Sequence, residues 1–305
     1  MNVYAENHKI KDYLKVNSVD GISIVEDIKN AHFIITGRYD ELKYQTALKG
    51  ILIPYTGHNG IDLEALRRRN LMLFVTPTRS RYVAEKAVTM TLSLLGNTIY
   101  YHKMLELGNW SARNSDERIP WTSIQDLKVG LFGYGRIGTL IHQFLKGFGC
   151  TFYTINRHKQ YPSDMVLVKD LHELVDACDV IIISAPLNRT TEGIFNHILL
   201  SKMEHTYLVN VGRGKIVDEE ALYTALKTQT LRGYASDVWY HYPKGKETQL
   251  PTSFPIHEFD NVVLSNHSGG FTHNTNDEVN RDILQILIKL RDENYEDQLD
   301  LETLL

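Results

Sequence analysis

Between Leu127 and Ser265 six short apolar runs alternate with segments of helical period, and few folds accept that order. The runs are Leu127–Phe132, Cys150–Ile155, Val180–Ser184, Tyr207–Val211, Gly233–Val238 and Val262–Ser265. Each has the length of a strand and is nearly continuous in apolar residues, as strands buried on both faces are. Between the first two, Ile137, Leu140, Ile141, Phe144, Leu145 and Phe148 recur with a period of about 3.6, which predicts a helix with one buried face. Asp170 to Glu173 has capping-box spacing ahead of a second helix, and Asp218 with Glu219 and Glu220 suits the positive end of a third. Strands joined by crossover helices make a parallel sheet with helices on both sides, the doubly wound arrangement.

A chain of 305 residues exceeds one hydrophobic core, so a second domain is expected. Residues 1–95 repeat the alternation more weakly, with strands at Ala31–Thr36 and Gly50–Pro54 and a helix at Leu63–Arg69. The fold class is therefore α/β, with two doubly wound, Rossmann-like parallel-sheet domains. Arg81–Tyr101 reads as one long, largely apolar helix; its excess of apolar surface predicts burial between domains or subunits, hence a homodimer. The tail Asn276–Arg291 reads as a helix whose Val279, Ile283, Ile286, Leu287 and Leu290 form one stripe, placed back against the first domain. The expected division is a discontinuous substrate domain, 1–95 plus 275–305, and a dinucleotide-binding domain, 96–274.

Apolar residues at 43% and a net charge of −4 describe an ordinary globular chain with no basic field for nucleic acid or membrane surfaces. The partner is expected to be a small molecule. Cys150 and Cys178 are too few for a disulfide framework, and no metal site is expected. No basic-then-apolar leader opens the chain and no apolar run reaches the length of a membrane span, so the expected location is cytoplasmic.

Gly133-Tyr-Gly-Arg-Ile-Gly138 follows the first strand of the central region and opens its helix, the context a dinucleotide fingerprint requires. Gly133 makes the tight turn, Gly135 admits a pyrophosphate to backbone N–H groups, and Gly138 lets helix and strand pack closely. An acid at the end of the second strand would bind a ribose 2′-hydroxyl and repel a 2′-phosphate. Here that place holds Asn156 followed by Arg157, with His158 and Lys159 beyond. A cation there grips a phosphate by charge-assisted hydrogen bonds, so NADP(H) is the preferred cofactor and NAD(H) the alternative.

The run Val209–Asp218 drives an apolar strand into Gly212-Arg213-Gly214. Arg213 keeps its proton and presents a planar fork to a carboxylate, and the flanking glycines are expected to leave a small ligand access to the backbone.

With Ala185-Pro-Leu-Asn-Arg-Thr-Thr191, Tyr234-Ala-Ser-Asp-Val-Trp239 and Val262-Val-Leu-Ser-Asn-His-Ser-Gly-Gly270, these motifs resemble the D-isomer-specific 2-hydroxyacid dehydrogenases. The resemblance runs from about Gly57 to Thr272. It implies an active site in a cleft between the two domains, facing a nicotinamide. It implies that Arg213 holds the carboxylate of a small 2-keto or 2-hydroxy acid and that His267 is the proton donor in reduction and the acceptor in oxidation. Cofactor contacts are implied for Tyr134, Arg136, Ile137, Pro186, Thr191, Val211, Gly212, Asp237, Ser268 and Gly269. Substrate contacts are implied for the turn Gly57, His58 and Asn59, and for Arg79, which replaces a frequent asparagine of the family; Lys86 replaces a frequent histidine.

One position departs from the pattern. Most relatives carry an acid five residues after the aspartate matching Asp237, where it pairs with the histidine; here 237 + 5 gives Tyr242. A neutral partner leaves His267 less basic, which predicts an acid-shifted keto-acid reductase unless another carboxylate, Glu247 or Glu258, takes the role. Two other readings stand beside this one: a dinucleotide-binding regulatory protein that has lost turnover, and formate oxidation, against which His58 and Arg79 argue.

Overall fold

The computed structural model describes residues 1–39, 47–57, 60–113, 120–157 and 160–304. The chain divides into two compact units, 1–81 with 270–305, and 82–269. The divisions fall at 81/82 and 269/270, where the sequence reading set 95/96 and 274/275; the first lies inside a helix, where no composition shift marks it.

The first unit carries five parallel strands, β1 (Asn2–Ala5), β2 (Ser23–Ile24), β3 (Phe33–Ile35), β4 (Gly50–Ile53) and β5 (Met72–Val75), in the order β2-β1-β3-β4-β5. Helix α1 (His8–Val16) follows β1 and α2 (Leu63–Arg68) precedes β5. Alternate residues feed two cores: Phe33, Ile35, Leu52 and Phe74 on one face, Ile34, Ile51, Ile53 and Leu73 on the other. Phe33–Ile35 and Gly50–Ile53 lie within the expected strands, whereas β1, β2 and β5 had no sequence assignment.

Helix α3 (Thr78–Leu95) ends at Gly96 and Asn97, and α4 (Thr98–Glu106) starts afresh. The single helix expected over Arg81–Tyr101 is thus two, because Asn97 adopts a left-handed φ of 49°, which breaks the hydrogen-bond ladder. Ala84, Ala87, Met90, Leu94 and Leu95 of α3 are core residues of the second unit rather than an unpartnered apolar surface.

The second unit holds seven parallel strands rather than six: β6 (Lys128–Phe132), β7 (Thr151–Ile155), β8 (Met165–Val168), β9 (Val180–Ile183), β10 (Tyr207–Asn210), β11 (Gly233–Ser236) and β12 (Val262–Leu264). Their order is β12-β11-β10-β9-β6-β7-β8, so the winding reverses between β6 and β9. Val129 registers with both Phe152 and Val180, which sets the carboxyl ends of β6, β7 and β9 side by side. Val180 and Ile182 face one core, Ile181 and Ile183 the other, and all four are fully buried. Each such side chain contributes roughly 1.5–3 kcal/mol when withdrawn from water, which is why this strand is an unbroken apolar run.

Helices α5 (Arg136–Leu145), α6 (Leu171–Ala177), α7 (His197–Leu200) and α8 (Glu219–Lys227) cross between these strands. Asp170 caps α6 by accepting the Glu173 N–H, and Asp218 caps α8 by accepting the Ala221 N–H. Phe148, expected on the buried stripe of α5, is 44% exposed, because the α-helix stops at Leu145 and the chain tightens into a 3₁₀ turn. The tail helix α9 (Thr275–Arg291) belongs to the first unit. Its Val279, Ile283, Ile286, Leu287 and Leu290 pack with Val3, Ala5, Ile10 and Leu14.

Candidate active site

Among the described residues of the second unit, the catalytic and cofactor candidates outside α5, Tyr242 apart, follow the carboxyl ends of strands of the seven-stranded sheet. Doubly wound sheets bind ligands at that edge, at the reversal of strand order. β6 delivers Gly133, β7 delivers Asn156, β9 leads to Pro186, β10 to Val211 and Arg213, β11 to Asp237, and β12 to His267.

The three fingerprint glycines differ in what they do. Gly133 has φ 104°, and a Cβ there would fall 2.6 Å from the Ala185 backbone nitrogen. At Gly138 a Cβ would meet the Gly133 carbonyl oxygen at 2.2 Å, so strand and helix approach as only glycine permits. Gly135 is exposed and faces open space, and as N-cap of α5 it brings no side-chain cap. The first-turn N–H groups of α5 are therefore available to an anion. Ser184 Oγ donates to Gly133 O at 2.8 Å and ties the turn to the end of β9. These residues fit a dinucleotide pyrophosphate.

Asn156 and Arg157 stand exposed beyond β7, with no carboxylate at either place. His158 and Lys159 lie outside the described residues. Pro186 and Thr191 belong to one turn, in which Thr191 Oγ1 donates to Pro186 O at 2.7 Å. Val211 and Gly212 are buried.

Arg213 is half-buried, and its Nη1 donates to Gly212 O at 2.7 Å. Asn210 fixes the backbone around it, donating from Nδ2 to Arg213 O and accepting the Gly212 N–H, both at 3.0 Å. The flanking glycines correct the sequence expectation. Both are buried, and a Cβ on Gly212 would meet Ala185 O at 2.7 Å while one on Gly214 would meet Trp239 O at 2.4 Å. They let neighbouring backbone pack against the arginine's turn; they do not open a path for a ligand.

His267 sits exposed on the loop after β12 with φ 57°, a left-handed conformation uncommon outside glycine. What holds it there is Asp237. That carboxylate, 3% exposed, accepts Ser265 Oγ at 2.6 Å and the Ser268 N–H at 3.1 Å on Oδ1, and the Gly269 N–H at 2.8 Å on Oδ2. Trp239 Nε1 adds a 2.6 Å bond to Ser265 O. The amides of Ser268 and Gly269, two residues for which a cofactor contact is expected, donate to Asp237.

Tyr242 lies beside the histidine, ring centroids 5.2 Å apart. Its Oη accepts the Trp239 N–H at 2.9 Å, so the phenol is held by backbone. Partial desolvation lowers the His267 pKa below the ordinary 6.5; the Asp237 charge opposes this and the Arg213 charge adds to it. Desolvation likewise raises the Tyr242 phenol above its ordinary 10.0, with Arg213 pulling against it. Arg213, Asp237, Tyr242 and His267 thus share one electrostatic neighbourhood. Asp237 is a carboxylate whose charge acts on His267. Sequence reasoning missed this role, because a cap spanning two strands leaves no local spacing.

In the first unit, Gly57 lies in the turn after β4, and His58 and Asn59 fall outside the described residues. Arg79 stacks its guanidinium 4.6 Å from the Phe271 ring and 5.8 Å from Tyr55, and among the described residues its buried Nε has no acceptor. Burial lowers its pKa from the ordinary 12.5.

Residues 88–269 match the family model described as D-isomer specific 2-hydroxyacid dehydrogenase, NAD binding domain. Over 269 residues the chain is 30% identical to a formate dehydrogenase of Chaetomium thermophilum, covering 82% of this chain and 72% of that one. It is 28% identical over 306 residues to a D-3-phosphoglycerate dehydrogenase of Haemophilus influenzae, covering 95% and 71%. Among solved structures, the NAD-dependent formate dehydrogenase of Staphylococcus aureus in complex with NAD superposes with a TM-score of 0.74 at 27% identity, covering 96% of each chain.

Proposed function

Because the chain belongs to the D-isomer specific 2-hydroxyacid dehydrogenase family, enzymes that use a nicotinamide dinucleotide, we propose that it reduces a small 2-keto acid with NADPH. The observation that carries this reading is the shared neighbourhood of Arg213 and His267 at the carboxyl edge of the sheet, with the histidine loop fixed by Asp237.

The Gly133–Gly138 turn and the first turn of α5, including Tyr134, Arg136 and Ile137, would hold the pyrophosphate. Asn156 and Arg157 would take the adenosine ribose and its 2′-phosphate, with Pro186, Thr191, Val211 and Gly212 completing the contacts. When bound, the nicotinamide supplies the hydride. Arg213 binds the substrate carboxylate with its fork and stabilises the negative charge that grows on the carbonyl oxygen. His267 donates the proton that this oxygen requires, and in the reverse direction it accepts the proton of the hydroxyl. Tyr242 supplies no charge to support a protonated imidazole, so reduction is favoured on the acid side of neutrality. Gly57 and Arg79 are the first unit's candidates for contact with the substrate's acidic groups.

Oxidation of NADPH and NADH, followed against glyoxylate, hydroxypyruvate, pyruvate and longer or phosphorylated keto acids, tests this reading. Turnover with NADPH favoured is expected. Cofactor binding without turnover across the panel overturns the enzymatic reading in favour of a regulatory one, and a preference for NADH overturns the cofactor assignment.

The protein is further proposed to act as a homodimer. Ile99, Leu105 and Leu107 in and beside α4, with Trp110 and Trp121, are exposed, the last two by 61% each. Light scattering that gives a mass near the single chain's 35.1 kDa overturns this assignment.

A further inference from the structure

At the end of β7 the chain leaves the sheet with Asn156 and Arg157 exposed, at the edge where a doubly wound fold receives the adenosine ribose. Exposed side chains select a ligand only if the backbone beneath them is already ordered, since ordering it on binding costs affinity. One side of this turn is tied to β8, because the Asn156 N–H donates to Val168 O at 2.8 Å. Among the described residues, the Tyr161 hydroxyl ties the other side. Tyr161 Oη donates to Ile155 O at 3.1 Å and accepts the Arg157 N–H at 3.0 Å. It bridges the last residue of the strand and the arginine two positions on.

The ring attached to that hydroxyl is also fixed. It packs against the core cluster shared with α5, and its centroid lies 5.5 Å from the ring of Tyr134, inside the glycine turn. The Tyr134 hydroxyl is in turn hydrogen-bonded to His142 Nδ1 at 2.8 Å, on the buried face of α5. One side chain therefore couples the backbone of the ribose turn to the turn that would cradle the pyrophosphate.

We propose that Tyr161 is a positioning residue for the adenosine 2′-phosphate: its hydroxyl sets where Arg157 stands, so cofactor selection depends on a tyrosine that itself makes no contact with the phosphate. This rests on the NADPH reading above. A tyrosine that only capped β7 would alter stability and leave the choice between cofactors untouched.

Tyr161→Phe removes the bridging oxygen and keeps the ring. Values of kcat/KM are compared for NADPH, NADH and reduced nicotinamide mononucleotide, which lacks the adenosine half. The NADPH value is expected to fall about 3- to 10-fold relative to the mononucleotide, the range of one lost hydrogen bond. The double variant Tyr161→Phe with Arg157→Ala is expected to lose no more NADPH preference than Arg157→Ala alone, since the hydroxyl acts through that arginine. Equal losses with all three cofactors, or additive losses in the double variant, overturn the proposal. A wild type that prefers NADH overturns the cofactor reading and the proposal together. A wild type that prefers NADPH, with the preference intact in Tyr161→Phe, overturns the proposal alone.

Discussion

Replacing Asp237 by asparagine removes one negative charge and turns one of two acceptor oxygens into a donor. In the native loop Oδ1 serves Ser265 and Ser268 and Oδ2 serves Gly269. An amide oriented to keep the first two bonds must aim its NH₂ at the Gly269 N–H, across what is now a 2.8 Å hydrogen bond. One charge-assisted bond is lost and one buried donor is orphaned, together costing about 2–4 kcal/mol. The melting temperature of the unit that carries the loop should fall by roughly 4–16 °C. His267 then moves within a loosened loop, which lowers kcat at its optimum by roughly 10- to 100-fold. The pH dependence separates charge from shape. The Asp237 charge raises the proton affinity of His267, so its removal lowers the histidine pKa further. Keto-acid reduction needs the protonated form, so kcat/KM is full below that pKa and declines above it. The declining limb therefore moves to lower pH in the variant. The rising limb for hydroxy-acid oxidation must move with it, because the enzyme cannot alter the reaction equilibrium. The assay is kcat/KM in both directions from about pH 5 to pH 9. Limbs that stay in place in a variant that melts lower would refute the electrostatic role and leave Asp237 as a loop anchor only.

Gly135→Ala has open space and an ordinary φ, so it should keep its melting temperature within about 1 °C and still bind dinucleotide roughly tenfold more weakly or worse. Gly138→Ala meets backbone oxygen and should melt several degrees lower; equal stability of the two variants, by calorimetry, contradicts the division of labour between these glycines. Arg213→Lys keeps the charge and loses the fork, for an expected loss of roughly 10²- to 10³-fold in kcat/KM, and a loss under about fivefold would count against a bidentate clamp. His142 is 3% exposed and burial lowers its pKa from 6.5, so the unfolded chain takes up this proton first as pH falls. Its contribution is thus full above about pH 6.5 and lost as pH drops towards the folded value. Urea titrations at mildly alkaline and mildly acidic pH should show this slope in the wild type and a flatter one in His142→Gln.

Local rules carried the sequence reading where the cause was local. The caps at Asp170 and Asp218 need only a side chain and an N–H three residues away, and both were legible. So were Val180–Ile183, whose double-sided burial writes itself as a solid apolar run. β8 was not, because it is an edge strand whose Val166 and Leu167 remain about 40% exposed and whose pattern carries no strong period. The break at Asn97 hid inside continuous apolar periodicity. At the candidate site, Arg213 and His267 were singled out by residue type and motif, whereas the hydrogen bonds of Asp237 reach residues 28 to 32 positions away. Gly212 and Gly214 misled for the same reason, since the backbone they admit comes from Ala185 and Trp239.

Helix α9 gives the chain an unusual order of assembly. During synthesis N-terminal domains generally fold first. Here the first-made strands cannot complete their core, because Val279, Ile283, Ile286, Leu287 and Leu290 arrive only after all of β6–β12 has left the ribosome. The unit spanning 82–269 is continuous in sequence and has its own cores, so it can close while Val3, Phe33, Leu52 and Phe74 still wait with one sheet face covered by α1 and not yet by α9. The nascent chain is therefore most exposed to aggregation and chaperone capture at β1–β5, and emergence of α9 ends that interval.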